Sequence, residues 1–178
     1  MAIITLKGNP IKTIGTLPKI GEKAPNFTLT AGDLSQKTLV DFIGKKLVLN
    51  IFPSVDTETC ATSVRTFNKK VASLDNTVVL CISRDLPFAQ GRFCGAEGIK
   101  NVVMLSDFST GSFGKTYQLE ITNGPLAHLH SRAIIVVNED GFVTYTEQVS
   151  EVVNEPNYEE VIKRLKIEKY ESHITHTD

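Results

Sequence analysis

The sequence predicts an α/β fold in which helices cover both faces of a mixed central sheet. Three observations carry this. Lys46 to Phe52 and Thr77 to Ser83 are nearly continuous apolar runs, as in strands covered on both faces, and the segment between them has helical spacing. Strand, helix and strand in that order form a parallel unit. Arg132 to Val137 and Phe142 to Tyr145 flank Asn138-Glu139-Asp140-Gly141, whose Asp-Gly end is the turn chemistry of an antiparallel hairpin. Tyr158, Val161, Ile162 and Leu165, after Pro156, mark an amphipathic C-terminal helix.

Taken in order, Ile3 to Leu6 and Ile11 to Ile14 alternate and are separated by Lys7-Gly8-Asn9-Pro10, which reads as an N-terminal hairpin. Gly21 to Pro25 is a connector, Asn26 to Thr30 a short strand, and Lys37 to Val40 a second one before the turn Asp41 to Gly44. After the parallel unit, Asp85-Leu86-Pro87 starts another helix, with Asp85 as N-cap and Pro87 in the first turn. Gly91, Gly95 and Gly98 weaken it, each costing about 1 kcal/mol against alanine in a helix interior. Val102 to Leu105 is a strand, and Ser109 to Gln118 a short helix capped by Ser109. Residues 1–168 are expected to form one domain. From Lys169 to Asp178 apolar periodicity is lost, and a mobile tail is expected.

Composition excludes several classes. Nineteen basic residues against twenty acidic ones give a formal charge of −1, so no field favours a nucleic acid or a membrane surface. The start of the chain lacks the pattern of a signal peptide, and no apolar run has the length of a membrane span. A cytoplasmic protein is expected. Cys60, Cys81 and Cys94 are too few and too unevenly spaced for a secreted disulfide framework, and a disulfide in a reducing compartment serves chemistry more than architecture.

The chemistry centres on Pro53 to Cys60. Val64, Phe67, Val71 and Leu74 lie at i+4, i+7, i+11 and i+14 from Cys60, so Cys60 occupies the core-facing side of a helix's first turn. Thr57 is the candidate N-cap, its hydroxyl accepting from the unpaired amides. The helix's positive end and free N–H groups favour a thiolate, the nucleophilic form. Glu58 opposes a second negative charge by about 1 kcal/mol or less. The alternative is an inert core thiol. Cys60 nonetheless follows the carboxyl end of a buried parallel strand, where α/β sheets place their sites. Cys81, between Leu80 and Ile82, reads as a core thiol. His128-Leu129-His130 and His173-Ile174-Thr175-His176 have spacings that could share a metal, but no carboxylate or cysteine motif accompanies them, so solvated histidines and no metal are expected.

The spacing Pro53, Thr57, Cys60 resembles the Pro-x-x-x-Thr-x-x-Cys motif of the peroxiredoxins, and Pro53-Ser54-Val55-Asp56-Thr57 is similar to their thiol peroxidase subgroup. Ser83 to Gln90 and Phe93 to Gly98 resemble that subgroup's segment around its resolving cysteine, and Gly124-Pro125-Leu126 and Arg132-Ala133 also match. Glu58-Thr59 departs from the small or apolar pair common there, and the tail extends past the family's usual end. The resemblance implies a thioredoxin-like fold with an added N-terminal hairpin, and an atypical two-cysteine enzyme that reduces hydrogen peroxide and alkyl hydroperoxides.

Residue by residue, the resemblance makes Cys60 the peroxidatic nucleophile and Cys94 the resolving cysteine, joined in an internal disulfide after oxidation. It gives Thr57 the peroxide and the sulfur to hydrogen-bond, Arg132 the developing negative charge, and Pro53 the shielding of the sulfur. Absent the motif, Arg132 reads as a strand-end residue reaching solvent. The glycines near Cys94 suit either a plain loop or a helix cheap to open. Thioredoxin as reductant and a homodimer are implied as well; Gly111, Gly114 and Gly124 make no phosphate-binding pattern and the sulfur chemistry requires no cofactor, so none is expected. The rivals are a redox-sensing interaction protein and a dithiol oxidoreductase, the latter disfavoured because no Cys-x-x-Cys occurs.

Overall fold

The computed structural model describes residues 1–174, with side chains through residue 166. A two-stranded sheet pairs β1 (Ile3–Leu6) with β2 (Asn9–Lys12). The main sheet holds β3 (Thr28–Ala31), β4 (Gln36–Thr38), β5 (Lys46–Ile51), β6 (Thr77–Ser83), β7 (Val103–Ser106), β8 (Ala133–Val137) and β9 (Val143–Gln148). Its seven strands lie in the order β4-β3-β7-β6-β5-β8-β9. The helices are α1 (Glu58–Lys70), α2 (Pro87–Glu97), α3 (Ser112–Thr116) and α4 (Tyr158–Ile174).

The β5–α1–β6 unit is parallel as expected, and β6–α2–β7 repeats it. β8 returns antiparallel to β5, on the other side from β6. Every residue of β5 and β8 is buried. The alternation of side chains splits the core into two layers. Leu47, Leu49, Ile51, Ile135 and Val137 pack with Phe27, Phe113 and Tyr117 on one face. Val48, Ile134 and Val136 pack on the other with Cys60, Val64 and Phe67 of α1 and Val161 and Leu165 of α4. A mixed sheet with helices on both faces is therefore present.

Several boundaries differ from expectation. Lys7 and Gly8 both adopt positive φ, 50° and 82°, and make a two-residue turn, so Asn9 and Pro10 join β2 instead of the loop. Pro10 is tolerated because this strand is an edge. The N-cap of α2 is Leu86, with Pro87 in the first turn, because the Asp85 carboxylate has partners elsewhere. Gly111, not Ser109, caps α3. Helix α4 continues to Ile174, through part of the expected tail, and residues 175–178 lie outside the described residues. No helix among the described residues is long and apolar enough to cross a membrane.

Candidate active site

Sheet register builds the site. Strand β5 delivers the chain through Phe52 and Pro53 into the turn before α1, while Ile51 pairs with Ala133 at the start of β8. Arg132, one residue earlier, is thereby brought to the turn although it is distant in sequence. Its side chain is 1% exposed. Nε donates to the Val152 carbonyl at 2.8 Å, Nη2 donates to Cys60 Sγ at 3.1 Å, and Nη1 is buried with no hydrogen-bond partner among the described residues. Arg132 is thus not a side chain reaching solvent.

Cys60 is fully buried, in the first turn of α1, and carries a free thiol. Its carbonyl accepts from Ser63 Oγ at 2.7 Å, and Ser63 Oγ in turn accepts from Asn50 Nδ2 of β5 at 3.3 Å. This chain of polar groups pins the turn to the sheet. Thr57 is the N-cap as expected, but its hydroxyl donates to the Ser54 carbonyl at 3.0 Å and does not cap the helix amides. Pro53 is buried beneath the turn.

The turn has a second anchor that sequence reasoning misassigned. Asp85 accepts from Ser54 Oγ at 2.7 Å, Val55 N at 2.8 Å and Ser83 Oγ at 2.6 Å. One carboxylate therefore ties the turn to the end of β6 and the root of α2. A short polar side chain beside Pro87 looks like a helix cap in sequence, and nothing local indicates its true partners.

A cleft of about 800 Å³ opens above the buried thiol. Pro53, Thr57, Glu58, Thr59 and Arg132 line it together with Leu6, Asn9 and Ile11 of the hairpin and with Leu126 and Val152. Most of this lining is apolar, and the Arg132 guanidinium is the polar group in contact with the sulfur. The hairpin, a surface addition in sequence terms, is a wall of the cleft.

Cys94 lies on α2, half-buried, and packs against the same apolar layer as Cys60. Burial pushes its thiol above the ordinary range. Arg65 of α1 holds Glu97 through two hydrogen bonds of 2.9 Å and lies 5.9 Å over the Phe93 ring. Cys81 is fully buried and is pushed up to about 12 by desolvation, consistent with a core thiol. His128 is exposed, but His130 is fully buried with Nε2 2.8 Å from Asp107 Oδ2, so the expectation of solvated histidines fails there. Asp107 lies on a distant segment, which spacing does not reveal. The side chains of His173 and His176 lie outside the described residues. Among the described residues, no group of three or more His, Cys, Asp or Glu side chains is arranged to hold a metal.

The Redoxin family model matches residues 19–162. A thiol peroxidase of Mycobacterium tuberculosis is 56% identical over 165 residues, covering 93% of this chain and 99% of that protein. The crystal structure of a peroxiredoxin-like protein from Aquifex aeolicus superposes with a TM-score of 0.87 at 35% identity, covering 92% of this chain and 95% of that one. The fold is also that of a thiol peroxidase from Chromobacterium violaceum, with a TM-score of 0.85 at 22% identity, covering 95% and 98% of the two chains. With a family match over most of its length and a relative of this identity aligned nearly end to end, the chain belongs to the Redoxin family, as a peroxiredoxin-type enzyme of the thiol peroxidase group.

Proposed function

We propose that this enzyme reduces hydrogen peroxide and alkyl hydroperoxides through Cys60 and Cys94 and is reset by thioredoxin. The observation that carries the reading is the contact of Arg132 Nη2 with Cys60 Sγ, beside the buried and unpartnered Nη1, at the base of the apolar cleft. The guanidinium meets negative charge on the sulfur with one nitrogen and keeps a second donor for a peroxide oxygen.

In the reaction the Cys60 thiolate attacks the terminal oxygen of the hydroperoxide. The O–O bond breaks, sulfur supplies two electrons, and the leaving alkoxide or hydroxide takes a proton to become alcohol or water. Charge builds on that leaving oxygen, and donors fixed in advance stabilise it without reorganisation. Thr57 orients the peroxide from the cleft wall, and Pro53 keeps bulk water from the sulfur. The Cys60 sulfenic acid then condenses with the Cys94 thiol, forming the disulfide and releasing water. A disulfide needs Cα atoms within about 7 Å, and the low helix propensity of Gly91 and Gly95 supports a helix that opens locally and lets Cys94 approach. A reducing dithiol returns both thiols by exchange. A cytoplasmic location, expected from the sequence pattern, and a homodimer, implied by family resemblance, complete the proposal.

Peroxide-dependent NADPH oxidation in the presence of thioredoxin and its reductase tests the cycle. Cys60→Ser is expected to abolish turnover. Cys94→Ser is expected to consume one equivalent of peroxide and leave a sulfenic acid that dimedone traps. A Cys94→Ser enzyme cycling at full rate with thioredoxin removes the resolving role. Peroxide loss no faster than stoichiometric thiol oxidation in the wild type removes the enzymatic one.

A further inference from the structure

One carboxylate beside the cleft has no part in this chemistry and yet gathers hydrogen bonds. Glu151 Oε1 accepts from Gly8 N at 2.8 Å and Thr5 Oγ1 at 3.1 Å, and Oε2 accepts from Lys7 N at 3.1 Å and Val153 N at 3.2 Å. Lys7 and Gly8 are the two residues of the hairpin turn, both at positive φ, a geometry that turns successive amides toward one anion. These bonds, that from Gly8 first, hold the Glu151 carboxyl below the ordinary range, and it is ionised at neutral pH.

The base of the hairpin is held by other means. Ile4 and Ile11 pack with Ile121 and Val152 in a small apolar cluster, and Lys12 N donates to Asn123 Oδ1 at 2.7 Å. Thr5 N donates to the Ser150 carbonyl, and Val152 N donates to the Thr5 carbonyl, each at 2.8 Å. The tip has Glu151. Leu6, Lys7 and Asn9 at that tip line the same cleft as Thr57. The same short segment touches the other walls, since the Val152 carbonyl accepts from Arg132 and the Val153 carbonyl accepts from Thr59 Oγ1 at 2.8 Å.

We propose that Glu151 is a positioning residue for substrate selectivity: it fixes the hairpin, whose Leu6 and Ile11 give the cleft an apolar wall that a bulky organic hydroperoxide contacts. This rests on the peroxidase reading of Cys60. A molecule as small as hydrogen peroxide reacts at the sulfur without spanning the cleft, whereas an organic substituent must rest on that wall. Loosening the tip therefore weakens binding of the large substrate selectively.

The test compares kcat/KM for cumene hydroperoxide and hydrogen peroxide in the wild type and Glu151→Gln, with thioredoxin as reductant. Glutamine keeps the shape but sets an NH2 group against amide donors. The ratio of the two kcat/KM values is expected to fall about tenfold, the scale of lost apolar pocket contact, through KM for cumene hydroperoxide more than kcat. Thr5→Val, which removes one of the four bonds and keeps a strand-forming residue, is expected to lower the ratio about threefold, the worth of one hydrogen bond. An unchanged ratio in both variants, or equal losses on both peroxides, overturns the inference. A wild-type protein that consumes neither peroxide overturns the peroxidase reading itself, before any variant is compared.

Discussion

Arg132 makes two contacts and keeps a third nitrogen unbonded, an arrangement that depends on guanidinium geometry. Nε is committed to the Val152 carbonyl, Nη2 to Cys60 Sγ, and Nη1 stays free. Lysine keeps the charge but offers one compact head that cannot reach the carbonyl and the sulfur while leaving a donor for oxygen. Arg132→Lys is accordingly expected to lower kcat/KM for hydrogen peroxide about 10²- to 10³-fold, the usual loss when one charge-stabilising donor is removed. Stopped-flow measurement of Cys60 oxidation reads this directly, and retention of activity within about threefold would discard the role. The orphaned Val152 carbonyl is expected to cost about 1–3 kcal/mol of stability. Sequence made this residue legible only through the motif, since an arginine before an apolar strand otherwise reads as exposed. Glu151 and the true partners of Asp85 were not legible at all. Their ligands are backbone amides and hydroxyls of segments remote in sequence, and such bonds leave no periodic trace.

At the scale of elements, α2 has fully buried residues only in its first turn, and its remainder is half-buried or exposed. Its two buried residues are Pro87 and Gln90, and Gln90 Nε2 donates to Ser83 Oγ at 3.1 Å and the Leu105 carbonyl at 3.0 Å. Beyond them come Gly91, Cys94 and Gly95, and a methyl group added at either glycine would meet nothing within 4 Å. Packing therefore does not require glycine there, and low helix propensity is its physical consequence. The Arg65–Glu97 pair at the C-terminal end is partly exposed and adds only the modest strength of surface ion pairs. Gly91→Ala and Gly95→Ala are each expected to stabilise α2 by about 1 kcal/mol. If opening precedes disulfide formation, that step slows about fivefold per substitution. Quenched thiol counting after a peroxide pulse measures it, and unchanged rates in the double variant would separate the glycines from the resolving step. The sequence showed the weakness of this helix through its glycines, but where it is pinned became visible only with the fold.

Across the whole molecule, the central strands make a fixed platform on which the reactive parts have unequal freedom. Apolar runs announced β5, β6 and β8 because strands buried on both faces need no polar alternation. Their neighbours were less legible: β7 pairs with β3 antiparallel as well as with β6, and β8 lies beside β5 on the side away from β6. Apolar periodicity specifies a strand's faces and not its partner, so the meeting of Arg132 and Cys60 could not be derived from spacing. The resulting hierarchy of stability can be measured by native-state hydrogen exchange on the reduced protein. Amides of β5 and β8, fully buried and paired on both sides, are expected to exchange only with global unfolding and to track its denaturant dependence. Amides between Gly91 and Glu97 are expected to exchange through a local opening, at a free energy lower by about 3 kcal/mol or more and nearly independent of denaturant. Those near Gln90 should lie between the two, because its side-chain bonds to Ser83 and Leu105 tie that turn to β6 and β7. Exchange of α2 at the global free energy would mean that Cys94 moves only when the whole domain unfolds, and resolution by a locally opened helix would then be too rare to support turnover.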